Sequence, residues 1–145
     1  MKVLVLNCGS SSVKFDLFDW KLQKNLAKGL IERVGTINAT IHYNRPGSQP
    51  IIYQKELKDH SKAINEVFSL LVGENGVLSD LNEIYAIGHR VVHGGEKFKK
   101  STLIDDKVIS TIQKLSSLAP LHNPPNLAGI LATKELLPNI PQVAI

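Results

Sequence analysis

The sequence predicts an α/β domain with a mixed sheet flanked by helices. Two patterns predict this class. Apolar residues alternate with polar ones up to residue 57, as in strands, and recur every three or four positions in segments after Asp59, as in helices. The chain has 145 residues, of which 43% are hydrophobic and 21% are charged. That balance is typical of one globular domain with a core of its own.

The first part of the chain predicts antiparallel strands. Lys2–Leu6 is rich in Val and Leu and ends in a cluster of turn-forming residues, and an alternating segment follows from Val13 to Leu17. Further strands are predicted over Leu26–Val34, Thr36–Tyr43 and Ile51–Leu57. The last two flank a Pro-Gly pair, which predicts a hairpin.

Three helices and two more strands are predicted after residue 58. The first helix starts at a cap, Asp59 or Ser61, and buries Ala63, Ile64, Val67, Phe68 and Leu71. The second follows Asp105. The third begins after Asn123 and buries Leu127, Ile130 and Leu131, because Pro124 and Pro125 suit a first turn that needs no amide donor. The strands are Ile84–Val92 and one that begins at Gln142.

The chain is moderately basic. It has 17 Lys and Arg against 13 Asp and Glu, a formal charge of +4 and a pI near 9.2. The cations are spread along the sequence, and the densest run, Lys97 to Lys100, has only Phe98 as an aromatic neighbour. Nucleic-acid binding favours a clustered basic patch with stacking aromatic residues. We therefore expect an anionic small molecule as the ligand and no nucleic-acid partner.

The sequence also predicts a cytoplasmic protein without membrane attachment. Its only cysteine, Cys8, cannot form a disulfide within the chain, which suits a reducing compartment. The apolar run Val3–Leu6 is too short for the core of a signal peptide. The long uncharged stretch Leu115–Thr133 is interrupted by prolines, so no membrane-spanning helix is expected.

The turn after the first strand is the first candidate site. The run Asn7-Cys8-Gly9-Ser10-Ser11-Ser12-Val13-Lys14 offers three hydroxyls, backbone N–H groups and a lysine, which outline a cradle for an anion. It lacks the glycine spacing of a Walker loop or of a dinucleotide fingerprint. A hairpin turn with solubilising serines and Lys14 facing solvent explains the same residues, and composition alone favours neither interpretation.

The strand that ends in Gly94-Gly95 carries the second candidate. Alternation puts Gly88, Arg90 and Val92 on one face and His89, Val91 and His93 on the other. An arginine in a short apolar strand needs an anionic partner, which is either a ligand or a glutamate in a structural salt bridge. The residues alone favour the salt bridge. His89 and His93 lie about 13 Å apart along a strand, which excludes one shared zinc ion.

The segment Leu118 to Asn126 is the third candidate, because His122 directly precedes a predicted helix start. Amide groups at a helix start attract anions, and a histidine can donate a hydrogen bond to developing negative charge. A histidine that caps a loop is the simpler explanation when the segment is taken alone.

Together the three segments resemble the acetate kinase family, the branch of the sugar kinase, heat-shock chaperone and actin superfamily that forms acyl phosphates. Val5 to Lys14 looks like the first signature of that family, Ala86 to Gly95 looks like its second, and Leu118 to Asn126 is similar to its proline loop. The resemblance implies a ribonuclease H-like α/β fold, with a mixed five-stranded sheet flanked by helices.

The resemblance also implies a reaction: reversible transfer of the γ-phosphoryl group of ATP to acetate, giving acetyl phosphate and ADP, with Mg²⁺. The implied roles are metal binding by Asn7, binding of the nucleotide phosphates by Ser10, Ser12 and Lys14, catalysis by Arg90 and His122, and acetate binding by Arg90, Val92 and Leu121. Arg90 would bind the carboxylate and then the transferring group, while Val92 and Leu121 line the methyl pocket.

Compared with this family, residues 1–145 correspond to an N-terminal domain that is truncated at its carboxyl end, and a second domain that binds adenosine is expected to be absent. On this expectation the fragment alone is inactive, and the full-length protein is a homodimer.

Two alternatives remain open. A propionate kinase or another short-chain carboxylate kinase would share all three motifs and differ in pocket volume. A non-catalytic anion-binding domain can use the same fold, since a fold alone does not confer activity.

Overall fold

A mixed eight-stranded sheet forms the centre of the residues that the computed structural model describes, 1–91, 101–117 and 123–145. Its strands are β1 (Lys2–Cys8), β2 (Ser12–Asp19), β3 (Lys24–Glu32), β4 (Thr36–Asn44), β5 (Ile51–Leu57), β6 (Ile84–His89), β7 (Thr102–Leu103) and β8 (Gln142–Ala144). Their order is β5-β4-β3-β2-β1-β6-β8-β7. Neighbours from β5 to β1 are antiparallel, β1, β6 and β8 are parallel, and β7 is antiparallel to β8.

In the described part of the chain, three α-helices accompany the sheet: α1 (His60–Val72), α2 (Asp106–Lys114) and α3 (Asn123–Leu136). An aspartate caps each of the first two. A carboxylate oxygen of Asp59 accepts a hydrogen bond from the backbone N–H of Lys62 at 2.9 Å, and Asp105 accepts one from Val108 at 2.8 Å. None of the helices among the described residues has the length and apolar character needed to cross a membrane.

The main core lies between the sheet and helices α1 and α3. The alternating residues Leu4, Leu6 and Cys8 of β1 and Val13, Phe15 and Leu17 of β2 are buried there. The buried face of α1 consists of the five residues that its helical spacing predicts. A smaller cluster of Val108, Ile112 and Ile130 joins α2 to α3. These contacts bury one face of the central strands.

The predicted fold class is confirmed, but the sheet has eight strands among the described residues, not five. Two local features add strands. The hairpin of β4 and β5 extends the same sheet, because β4 pairs with β3 from Lys28↔Asn44 to Glu32↔Thr40. The two-residue strand β7 adds an antiparallel edge beside β8. The strand predicted to run to Val92 ends at His89, and Val92 lies outside the described residues.

Candidate active site

The carboxyl ends of β1 and β6 meet at one edge of the sheet. The two strands are parallel, with Leu6 opposite His89, so both chains leave the sheet on the same side. The backbone N–H of Arg90 donates to the carbonyl oxygen of Leu6 at 3.1 Å, which continues the pairing one residue beyond β6. In open α/β sheets ligands bind at such carboxyl ends. The first two candidate segments are therefore brought together here.

The start of α3 lies at the same edge. The side-chain N–H of Asn126, in the first turn of α3, donates to the carbonyl oxygen of Cys8 at 2.8 Å across 118 residues of sequence. Asn126 is buried, with 3% of its surface exposed. The helix that belongs to the third candidate segment thus contacts the end of β1.

Asn7 and Lys14 share the sheet face that is turned away from the core. They lie directly opposite each other on β1 and β2, and their neighbours Cys8 and Val13 point into the core. Side chains alternate along a strand, and His89 is buried on the core side, so Arg90 belongs to the face of Asn7. Asn7 is half-buried, and Lys14 is exposed.

Arg90 does not have the buried environment that the sequence predicts. It lies just after β6 and is exposed. No ion pair joins its guanidinium to any carboxylate among residues 1–91, 101–117 and 123–145. The structural salt bridge is therefore not found in the described part of the chain, and the guanidinium is available to an anionic ligand.

Four carbonyl groups at the turn between β1 and β2, those of Cys8, Gly9, Ser11 and Ser12, accept hydrogen bonds. Hydrogen bonds to the carbonyl oxygens come from Asn126 to Cys8 at 2.8 Å, from His60 to Gly9 at 2.6 Å, from the N–H of Val34 to Ser11 at 2.9 Å and from the N–H of Gly9 to Ser12 at 2.9 Å. Gly9 allows a close approach at this turn, because a Cβ atom there would lie 2.8 Å from the hydroxyl oxygen of Ser12, which would have to move.

The N–H groups of the turn are oriented differently. Neither Ser10 nor Ser11 donates its backbone N–H to an acceptor within the described residues, and both residues are exposed, while Ser12 is half-buried. A turn with paired carbonyls and free amides presents hydrogen-bond donors to solvent, which is the arrangement of an anion-binding concavity. The cradle interpretation thereby gains support over the solubilising hairpin.

Two ionisable groups beside the turn are kept neutral by burial. Burial raises the pKa of the Cys8 thiol to about 12. Burial lowers the pKa of His89 to about 4, and its Nε2 pairs with Oε1 of Gln142 at 2.5 Å. His89 is therefore a buried packing residue that contributes no charge to the site, and His93 lies outside the described residues.

Three predicted site residues, Val92, Leu121 and His122, also lie outside the described residues. Within the described ranges, no group of three or more His, Cys, Asp and Glu side chains is placed to hold a metal ion. The amide of Asn7 has no hydrogen-bond partner in those ranges, so its oxygen is free to bind a hard cation such as Mg²⁺.

Sequence reasoning missed His60 and Asn126. Each contacts the turn through a single hydrogen bond from a different helix. Their partners are backbone atoms 51 and 118 residues away, and no local pattern predicts such a contact. The one available signal was the amide of Asn126 close behind the two prolines of the third segment.

Known proteins named acetate kinase and propionate kinase are similar to this chain. A profile of the Acetokinase family matches residues 2–145. The acetate kinase of Dictyoglomus thermophilum is 55% identical over 146 aligned positions, which make up 100% of this chain and 37% of that protein.

Solved structures agree with this match. The crystal structure of Porphyromonas gingivalis acetate kinase has a TM-score of 0.94 at 41% identity, over 99% of this chain and 36% of that one. A propionate kinase from Francisella tularensis has a TM-score of 0.88 at 40% identity, again over 99% and 36% of the two chains. The chain therefore spans little more than a third of the length of these relatives.

Proposed function

Because the chain belongs to the Acetokinase family, we propose that the gene product containing it transfers the γ-phosphoryl group of ATP to acetate. The products are acetyl phosphate and ADP, and the reaction is reversible. One observation carries the proposal: the turn after β1 and Arg90 both lie at the carboxyl edge of β1 and β6. A donor phosphate and an acceptor carboxylate can meet there.

Each residue at this edge has a proposed binding role that follows from its charge and geometry. The free N–H groups of Ser10 and Ser11, the hydroxyls of Ser10 and Ser12 and the ammonium of Lys14 bind the phosphate end of ATP. The planar guanidinium of Arg90 matches a carboxylate or phosphate with two parallel hydrogen bonds. It first holds acetate and then stabilises the transferring group.

In the reaction, a carboxylate oxygen of acetate attacks the γ-phosphorus. The bond between that phosphorus and the bridging oxygen of ADP breaks, and ADP leaves with the electron pair. Such a transfer requires no covalent intermediate with the protein. It depends on the positioning of the two reactants and on stabilisation of negative charge in the transition state. Arg90 and Lys14 supply two cations on one sheet face for that purpose.

Magnesium fits this site with Asn7 as its protein ligand. Mg²⁺ binds few protein oxygens and takes its other ligands from phosphates and water. When bound, it would neutralise charge on the ATP phosphates. The free amide oxygen of Asn7, one strand position before the buried Cys8, is a suitable ligand at the edge.

Val92 and Leu121 are proposed to line the pocket for the methyl group of acetate, and His122 is proposed to donate a hydrogen bond near the transition state. The propionate kinase among the structural relatives favours a second candidate, a kinase for a slightly larger carboxylate. One methylene changes the transition-state free energy by only about 1 to 3 kcal/mol, so the preference has to be measured.

The substrate is tested by comparing kcat/KM for acetate, propionate and butyrate with the complete gene product, trapping acyl phosphates with hydroxylamine. We expect acetate to be preferred. A preference for propionate would select the second candidate. No acyl phosphate from any of the three would favour a non-catalytic anion-binding domain.

The remaining features of the proposal concern the whole protein. We propose a homodimer in the cytoplasm without a nucleic-acid or membrane partner. We also propose that residues 1–145 alone are inactive, because they span 37% of the acetate kinase they resemble. An assay of the 145-residue polypeptide beside the complete gene product tests the last point, and equal activity would contradict it.

A further inference from the structure

Two side chains from two different helices hold neighbouring carbonyl groups at the end of β1. We propose that His60 and Asn126, together called the carbonyl clamp, are positioning residues for the phosphate-binding turn. The clamp keeps the carbonyl groups of Cys8 and Gly9 paired with protein donors, so that the anion meets only N–H and hydroxyl donors. This inference rests on the proposed function and names the two side chains that hold the phosphate-binding turn in place.

His60 is the first residue of α1 and is half-buried. Its Nε2 lies 2.6 Å from the carbonyl oxygen of Gly9. A carbonyl oxygen only accepts hydrogen bonds, so this ring nitrogen carries the proton and donates. The buried face of α1 packs in the main core, and so the histidine belongs to a helix whose position the core determines.

Asn126 reaches the same turn from α3. Its amide donates to the carbonyl oxygen of Cys8, and only 3% of the residue is exposed. Its neighbour one turn along the helix, Gly129, lets α3 approach closely, since a Cβ atom there would lie 2.6 Å from Sγ of Cys8. Two independent packing contacts therefore fix the donor relative to the end of β1.

The direction of these two carbonyl groups matters because an anion is repelled by exposed carbonyl oxygens and attracted by N–H groups. The amides of Ser10 and Ser11 directly follow the clamped residues and have no partner within the described residues. If Gly9 were released, rotation of its peptide groups would move the oxygen of Gly9 and the N–H of Ser10 together, since they belong to one planar unit. Holding that oxygen inward therefore points the N–H of Ser10 outward.

The test compares binding of magnesium and the β,γ-imido analogue of ATP by calorimetry in variants of the complete gene product. His60→Ala should raise the Kd about tenfold, the loss expected for one hydrogen bond in a buried setting. His60→Gln keeps an N–H donor and should recover most of the affinity. Asn126→Asp replaces the donor with an acceptor of the same shape and should weaken binding at least as much.

A matched control separates positioning from stability. Asp59→Ala removes the cap of α1 and destabilises the same helix start without removing the clamp donor. It should leave the Kd near that of the parent. In steady-state kinetics His60→Ala should raise the KM for ATP, and the KM for acetate should stay unchanged.

Three results would overturn the inference. The first is that His60→Ala binds the analogue as tightly as the parent. The second is that Asp59→Ala weakens binding as much as His60→Ala does. The third is that His60→Gln recovers none of the affinity lost in His60→Ala. If the parent protein itself binds no nucleotide, the proposed function fails and the clamp fails with it. Binding by the parent with an unaffected His60→Ala variant contradicts the clamp alone.

Discussion

Asn7, Lys14 and Arg90 give the edge of the sheet its chemical character. The register of β1 with β2 and β6 puts the three residues on one face, and alternation keeps their neighbours in the core. Lys14 and Arg90 are exposed and form no ion pair within the described residues. Exposed positive charges without a carboxylate partner attract anions.

At this scale the first prediction concerns Arg90. Arg90→Ala in the complete gene product should lower kcat by about 10² to 10³, because losing one group that stabilises a transition state costs about 2.7 to 4 kcal/mol. Arg90→Lys keeps the charge and loses the planar fork, so its kcat should fall between those of the parent and the alanine variant. Steady-state formation of acetyl phosphate measures both.

Lys24→Ala is the matched control. Lys24 is exposed and lies opposite Asp19 at the far end of β2 from the turn. Its kcat should equal that of the parent. An unchanged kcat in Arg90→Ala would remove Arg90 from the mechanism.

Helix α3 packs against the sheet through a buried face of mostly small and polar residues. It buries Asn126, Gly129, Ile130, Ala132 and Thr133, a stripe of small and polar residues beside one isoleucine. Leu131, predicted to be buried, is 46% exposed. Small residues let the helix approach β1 and β6, and the two polar ones are satisfied by hydrogen bonds to Cys8 and Gly129.

The second prediction follows from the contact between Gly129 and Cys8. Gly129→Ala places a Cβ atom 2.6 Å from Sγ of Cys8, and both atoms are buried, so the helix or the strand must shift. We expect the free energy of unfolding to fall by about 1 to 3 kcal/mol, the usual cost of overpacking. Urea denaturation measures it.

The double variant Cys8→Ala/Gly129→Ala provides the control, since removing Sγ makes room for the new methyl group. The free energy of unfolding of the double variant should therefore be higher than that of Gly129→Ala. Simple additivity of the two single substitutions would show that the close contact is not the cause.

Secondary-structure elements were predicted correctly from the sequence where residues within a few positions determine them. The cap at Asp59, the buried stripe of α1 and the hairpin over β4 and β5 follow from capping, period and turn residues within a few positions. The predicted face of α3 is correct at Ile130 and wrong at Leu131, because hydrophobic spacing ignores the small and polar residues that this helix buries. The exposure of Arg90 was misjudged because strand β6 ends three residues before the predicted Val92.

At the scale of the whole molecule, contacts distant in sequence assemble the site. The neighbours β1 and β6 are separated by four strands and a helix along the chain. The hydrogen bonds of the carbonyl clamp span 51 and 118 residues. The site residues assigned by motif resemblance remain predictions, and only the fold shows the two hydrogen bonds that reach the turn from distant helices.

The buried pair of His89 and Gln142 joins β6 to β8 and gives the third prediction. Burial lowers the pKa of His89 from 6.5 to about 4. Between those values the unfolded chain binds a proton that the folded chain excludes. The free energy of unfolding should therefore fall as the pH drops from about 6.5 towards 4, by at most about 1.4 kcal/mol per pH unit from this residue.

His89→Gln removes the titrating group and keeps a side chain that can hydrogen-bond to Gln142. Its unfolding free energy should depend less steeply on pH over this range than that of the parent, as measured by urea denaturation at several pH values. His42→Gln is the control, because it changes a half-buried histidine that pairs with Glu32 outside the core. Since His89 is still present in this variant, its unfolding free energy should depend on pH as steeply as that of the parent. The same slope in the parent and in His89→Gln would refute the assignment.

Oxygen isotope labelling distinguishes direct phosphoryl transfer from ATP to a carboxylate, the proposed reaction, from other routes. The complete gene product is incubated with magnesium, ATP and acetate labelled with ¹⁸O in both carboxylate oxygens, and the products are followed by ³¹P NMR. Attack of acetate on the γ-phosphorus predicts ADP and acetyl phosphate whose phosphorus carries one ¹⁸O, seen as an isotope shift of its resonance. Formation of AMP and pyrophosphate, or acetyl phosphate without ¹⁸O on phosphorus, would contradict the claim.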